Sequence, residues 1–398
     1  MFFKRDLSKV FTRSKKFPVI AILGPRQSGK TTLTKHYFKK HTYLNLENPE
    51  LRSFAVEDPS RFLQEFENSH GIIIDEFQYA PELLSYIQVI VDEKKRPGYF
   101  ILTGSQNFLM NESITQSLAG RVGIVSLLPL SLHELKKSRL LHDIDTTLLY
   151  GSYPRLYEAH IDTIDFYPSY IHTYLERDVR QMTHVGDILL FQKLMRLLAA
   201  RIGQQLNLVD LATTLGLDQR KIKQWLSVLE ASYVIFFLRP HFQNFNKRLT
   251  KNPKLYFYDT GLACSLLDIK TRESLALSPY RGNLFESLMI SDFHKQYYNA
   301  GIINPSLYFW RDQNGRIEVD CIVDRGDILI PVEIKSGQTI VPTFFTSLLE
   351  WSKAAGSNAK QPTIIYGGDK NQTRSQAKVI GWQQATQFIT DLYTESKE

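Results

Sequence analysis

The octapeptide GPRQSGKT, Gly24 to Thr31, constrains this chain more than any other stretch of it. It fits G-x-x-x-x-G-K-[ST] in full, follows the apolar run PVIAILG and opens the helix-like TTLTKHYFKK. Strand, glycine-rich turn and helix in that order aim backbone N–H groups into a concave nest at a helix N-terminus, which is an anion site. Gly24 and Gly29 let the backbone wrap phosphates, with Pro25, Arg26, Gln27 and Ser28 between them and Thr32 following. Lys30 is expected to neutralise β- and γ-phosphates and the Thr31 hydroxyl to ligate Mg²⁺, so the expected ligand is MgATP.

GIIIDEF, Gly71 to Phe77, supplies a second half. Asp75 ends an all-apolar strand where its carboxylate can hold Mg²⁺, and Glu76 follows where a general base would orient the attacking water. In YFILTGSQN, Ser105 or Gln106, and behind them Thr103 or Asn107, reach the position of a γ-phosphate sensor. Arg121, before the strand VGIVSL, reads either as an arginine finger or γ-phosphate sensor or as half of a surface ion pair.

From about Phe17 to Leu130, short apolar strands alternate with polar or helical segments, as in parallel α/β units. The strand candidates are Pro18 to Gly24, Thr42 to Leu46, Gly71 to Glu76, Tyr99 to Ser105 and Val122 to Leu130. Continuous rather than alternating apolar runs predict strands buried on both faces. Residues Leu132 to Leu267 are mostly helical in pattern, and QLNLVDLATTLGLDQRKIKQWLSVLEASYVIFFLRP reads as two helices, a tight turn at Gly216 with Asp218 as N-cap, and a β wing. That predicts a winged helix, with Arg220, Lys221 and Lys223 where DNA contacts would fall. A helix around Leu284 to Tyr297 then precedes strands in YFWRD, IEVDCIVDRG, ILIPVEIKS and PTIIYGG, a small third α/β unit.

Composition narrows the rest. No apolar run in the 398 residues approaches the ~20 needed to span a bilayer. The basic N-terminal stretch MFFKRDLSKVFTRSKKF lacks the apolar region of a signal peptide and reads as a solvated helix. The 2 cysteines, Cys264 and Cys321, both in apolar segments, exclude a disulfide framework and a zinc site and point to a reducing cytoplasm. A net charge of +7, spread over short runs, is compatible with nucleic acid without demanding it.

These motifs, with TGS, AGRV, LPLSLHEL, GSYPRLYE, YIHTYLERDVRQM, YFYDTGLA and RGNLFES, resemble the AAA+-type ATPases of bacteria and archaea in which one AAA module is fused to a C-terminal domain of unknown function. The resemblance spans nearly the whole chain and implies an ASCE-type sheet with a winged helix after it. It also implies a homo-oligomer, since AAA+ proteins usually complete the site with an arginine from a neighbouring subunit.

The third unit carries its own constellation. Glu286 lies on a helix, Asp320 on a strand, and Glu333 and Lys335 on the next strand, where a period of two puts them on one face; Glu318 shares a face with Asp320. Such carboxylates can bind Mg²⁺ or Mn²⁺ and activate water against a phosphodiester, with Lys335 stabilising the developing charge. Order and spacing resemble the PD-(D/E)XK nuclease fold, with VD in place of PD. That resemblance makes Asp320 and Glu333 metal ligands, Glu286 an auxiliary ligand and Lys335 the catalytic lysine.

The expected architecture is therefore an AAA+-like P-loop core over residues 1–131, a helical winged-helix region over 132–270 and a restriction-endonuclease-like α/β region over 271–398. The expected function is an MgATP-hydrolysing ATPase coupled to DNA binding and metal-dependent cutting. Its rival is a nucleotide switch whose C-terminal region only binds nucleic acid or protein. A small-molecule kinase is disfavoured because no lid or acceptor site is evident.

Overall fold

The computed structural model describes residues 2–105, 117–175, 188–241, 252–312 and 314–394. Its first layer is a parallel five-stranded sheet of β1 (Val19–Gly24), β2 (Thr42–Asn45), β3 (Ile72–Asp75), β4 (Phe100–Ser105) and β5 (Val122–Ser126), in the order β2-β3-β4-β1-β5. The apolar runs are continuous because both faces are covered. Val19, Ala21 and Leu23 pack with Ile72, Ile74 and Leu102 against the Leu83–Lys94 helix, while Ile20, Ile22, Ile73 and Ile101 pack on the other side. That second face is closed by the N-terminal helix Ser8–Ser14, whose Leu7, Val10 and Phe11 flank is buried. The helix expected to be solvated is thus an amphipathic lid on the sheet. β5 is also shorter than expected. After Ser126 the chain leaves the sheet, and the apolar Leu128 and Leu130 join the core of the next region instead.

Seven helices fill much of residues 132–231 among the described residues, from Leu132–Lys137 to Gln219–Ala231. The last two, Leu208–Leu215 and Gln219–Ala231, are the two helices expected on either side of a tight turn. Gly216 closes the first in a left-handed conformation, and the Asp218 carboxylate accepts the Arg220 N–H at 2.6 Å to cap the second.

The strands that follow, β6 (Ile235–Pro240) and β7 (Lys254–Phe257), pair antiparallel as a wing would. They do not stand apart, however. β6 runs parallel to β8 (Leu307–Arg311) through Arg239 and Pro240, which extends the C-terminal sheet to eight strands. The rest of that sheet is β9 (Glu318–Asp324), β10 (Leu329–Lys335), β11 (Thr363–Tyr366), β12 (Gln372–Thr373) and β13 (Lys378–Gly381), in the order β12-β13-β11-β10-β9-β8-β6-β7. The 19-residue helix Arg281–Asn299 lies between this sheet and the middle helices, buried on nearly every side. One apolar cluster accordingly takes in Phe3 and runs on from Leu128 to Leu392, so the middle and C-terminal regions share a core.

Candidate functional site

Gly24 ends β1 where the chain crosses under the Leu127 carbonyl; a Cβ there would lie 2.1 Å from that oxygen. Only glycine fits so close a backbone approach. The loop then takes left-handed conformations at Gln27 and at Gly29, which caps the Lys30–Tyr37 helix. Lys30 is buried, and its ammonium donates to the carbonyls of Gly24 at 3.0 Å and Pro25 at 2.8 Å.

Register brings the second motif to the same edge. Asp75 ends β3 between Asn45 of β2 and Thr103 of β4. Its carboxylate accepts from Thr31 Oγ1 at 2.7 Å, from the Tyr43 phenol at 2.7 Å and from the Thr103 hydroxyl. Burial, and then the Asp75 carboxylate, raise the Tyr43 phenol well above its ordinary range, so it stays a donor. An alcohol and a carboxylate in contact, beside an anion nest, fit Mg²⁺, which takes hard oxygen ligands. Glu76 follows in a left-handed conformation, φ 56°, and its carboxylate accepts from the Gln78 side-chain amide. Ser105 lies opposite Gly24 in the β1–β4 register; its side chain, with Gln106 and Asn107, lies outside the described residues.

Gly29, Lys30, Thr31 and Glu76 line a cavity of about 470 Å³ that also takes in Arg26, Gln27, Ser28, Thr32 and Glu47. Its far wall is not part of the sheet. Phe2 and Phe3 reach it from the N-terminus, and Pro154, Arg155 and Glu158 reach it from the middle-region helix Pro154–Ala159. Arg5 ties the walls together: it donates to the Ser28 carbonyl of the loop at 3.0 Å, to the Leu128 carbonyl at 2.6 Å and to buried Glu134 at 2.9 Å. Glu134 in turn closes a capping box with Ser131 at the start of the Leu132–Lys137 helix. The S-x-x-E signal for that box stands in the sequence. Nothing local marks Arg5 or Arg155.

Arg121 stands away from the loop. It precedes β5, so it lies at the opposite end of the sheet from the loop, where it makes a two-pronged pair with Asp92 at 2.6 and 2.8 Å. It lies away from a phosphate held by its own chain, and within that chain it is half of an ion pair.

In the C-terminal sheet, Glu286, Asp320, Glu333 and Lys335 do meet, with Glu318 beside them. β9 and β10 part beyond Cys321 and Val332, and Asp320 takes up the slack by accepting the Ile334 N–H at 2.8 Å. What fills the cluster is Lys254 of β7. Its ammonium lies 2.5 Å from Glu318, 3.0 Å from Glu286 and 3.9 Å from Asp320. Lys335 lies 2.6 Å from Glu333 and 3.7 Å from Asp320, and the Tyr256 phenol donates to Glu286 at 2.5 Å. Burial, against the pull of Lys254, pushes the Glu286 carboxyl up to about 7, and burial with the Asp320 charge pushes Glu333 up to about 8. Burial would lower both lysines, but the surrounding carboxylates outweigh it and hold them above the ordinary range. Among the described residues, no set of three carboxylates, histidines or cysteines is placed to hold one metal ion. Glu286, Asp320 and Glu333 therefore come together as expected, but they face two ammonium groups in an arrangement that does not fit a divalent cation.

Residues 16–136 match the family described as an AAA domain, and residues 141–273 and 281–385 match two domains of unknown function, DUF8612 and DUF4143. The chain is similar to "Uncharacterized protein Rv2008c" of Mycobacterium tuberculosis and "Uncharacterized protein Mb2031c" of Mycobacterium bovis. It is 31% identical to each over 357 residues, 88% of this chain and 77% of theirs. Among solved structures it is similar to the Walker-type ATPase PABY2304 of Pyrococcus abyssi, at 17% identity over 67% of this chain and 96% of that one, with a TM-score of 0.46. Another is a point variant of RuvB from Thermotoga maritima, at 19% identity over 58% and 85%, with a TM-score of 0.26.

Proposed function

The chain belongs to the same family as the mycobacterial protein Rv2008c and is an AAA-type ATPase; from that premise we propose that it is an MgATP-driven switch. The observation that carries the proposal is the composition of the cavity: the phosphate-binding loop forms one wall, and Pro154 and Arg155 of the middle region form the other. A nucleotide held there touches both regions, so its hydrolysis changes what holds them together.

Lys30 would exchange the carbonyls of Gly24 and Pro25 for phosphate oxygens, which are stronger acceptors for an ammonium. Thr31 and Asp75 would hold Mg²⁺, which neutralises phosphate charge. The Glu76 carboxylate, steadied by the Gln78 amide, would align a water in line with the γ-phosphate and take its proton. Arg155 would face the triphosphate from the opposite wall and report its loss to the Pro154–Ala159 helix. In a phosphate-release assay, Glu76→Gln is expected to keep nucleotide binding while losing about 100-fold or more in turnover. Lys30→Ala is expected to lose both. Wild-type turnover in Glu76→Gln would sink the assigned role.

A second reading, DNA engagement, is supported by Arg220 and Lys223, which are exposed at the start of the second helix of the helix–turn–helix. Its test is DNA binding by fluorescence anisotropy across a salt series. Loss of affinity and a shallower salt slope in Arg220→Ala/Lys223→Ala support it; unchanged binding counts against it.

A further inference from the structure

Lys254 carries no signal in the sequence, and its position gives the C-terminal carboxylates a role. β7 delivers it from outside the E-x-K strands. Its backbone is fixed twice, by pairing with Leu238 of β6 and by a bridge to Gln205. The side chain is only 3% exposed and passes by the Phe309 ring, with the ammonium 5.6 Å from its centroid. From there it meets carboxylates on two other elements, Glu286 of the Arg281–Asn299 helix and Glu318 and Asp320 of β9. Lys335 neutralises the remaining pair, Glu333 and Asp320. Two ammonium groups thus supply the double positive charge that one divalent cation would bring. They are compact point charges that carry three donors each.

We infer that Lys254 is a built-in substitute for a divalent cation. It locks the carboxylate cluster of this nuclease-like sheet, pins the β6–β7 hairpin to the Arg281–Asn299 helix, and leaves the cluster unable to take Mg²⁺ or Mn²⁺. The device depends on an internal cation, so removing Lys254 while keeping the carboxylates should create a metal site that the native chain lacks. A carboxylate nest left without its ammonium binds a hard cation readily, because buried like charges repel until something compensates them.

The experiment measures Mn²⁺ binding by electron paramagnetic resonance, and melting temperature, on the full chain without nucleotide. Lys30→Ala serves as the background throughout, to remove the nucleotide pocket from consideration. In that background, Asp320→Asn is expected to change Mn²⁺ binding by less than twofold, because the cluster holds no metal. Lys254→Met is expected to melt lower in metal-free buffer and to bind Mn²⁺ at least tenfold more tightly, with the melting temperature recovering as Mn²⁺ is added. Adding Asp320→Asn to Lys254→Met should abolish both gains, whereas Lys254→Arg should stay indifferent to metal. With Lys254 intact, an Mn²⁺ site that Asp320→Asn removes overturns the proposal. A folded Lys254→Met that gains no such site overturns it as well. If Lys254→Met does not fold, the effect of Asp320→Asn with Lys254 intact decides on its own.

Discussion

His294 is buried in the Arg281–Asn299 helix against the Phe236 ring, 4.3 Å between centroids, and among the described residues neither ring nitrogen has a hydrogen-bond partner. Burial alone pushes its pKa down from 6.5 to about 3. The unfolded chain takes up a proton near 6.5 that the folded chain refuses, so the histidine favours folding fully above that pH. Its contribution drains away at roughly 1.4 kcal/mol per pH unit as pH falls toward 3. Replacing it with phenylalanine, which keeps the ring packing, should remove that dependence. Between pH 7 and pH 5, urea-unfolding stability of the wild type should fall by about 2 kcal/mol more than that of His294→Phe. Parallel pH profiles would mean that the ring is solvated or paired in solution.

Residues of this kind also mark what a sequence hides. Gly24, Lys30, Thr31 and Asp75 are legible because their chemistry depends on neighbours within a few positions or on one strand ending beside another. Arg5, whose partner Glu134 lies 129 residues away, and Lys254, whose partners lie 32 to 66 residues on, carry no local signal. Lys254 is the last residue of the basic run NKRLTKNPK and reads as solvated charge until the fold buries it.

At the scale of elements, the strands and helices announce themselves wherever period and punctuation agree. The five strands of the first sheet and the Gly216 turn fall where apolar runs and capping residues put them. What is not legible is which sheet a strand will join. The β6–β7 hairpin looks complete in itself, yet β6 pairs with Tyr308 and Phe309 of β8, and the His241 N–H donates to the Phe309 carbonyl at 2.7 Å. That choice depends on an edge built some 70 residues later. A chain cut after residue 270 should therefore leave the hairpin edge and the middle-region core uncovered, since Leu284, Phe285 and Phe293 complete that core. Trp225 is the one tryptophan of such a fragment and is fully buried in the intact chain. Its fluorescence should be red-shifted and easily quenched in the fragment. Emission typical of a buried indole would show that the middle region folds without the C-terminal sheet.

At the scale of the molecule, polar contacts tie the ATPase sheet to the shared middle and C-terminal core. Arg5 bridges the phosphate-binding loop to Glu134, and Ser126 of the edge strand β5 bonds the Tyr233 phenol at 2.8 Å. The cavity is the place where a ligand would add to those contacts. A nucleotide that bridges the loop and Arg155 would favour whichever arrangement it binds more tightly, and hydrolysis would remove that preference. The most direct measurement is hydrogen exchange of the Pro154–Ala159 helix with a non-hydrolysable ATP analogue and Mg²⁺. The account predicts slower exchange of these amides in the wild type, and no change in Lys30→Ala. Exchange that stays the same in the wild type, or slows equally in Lys30→Ala, would contradict it.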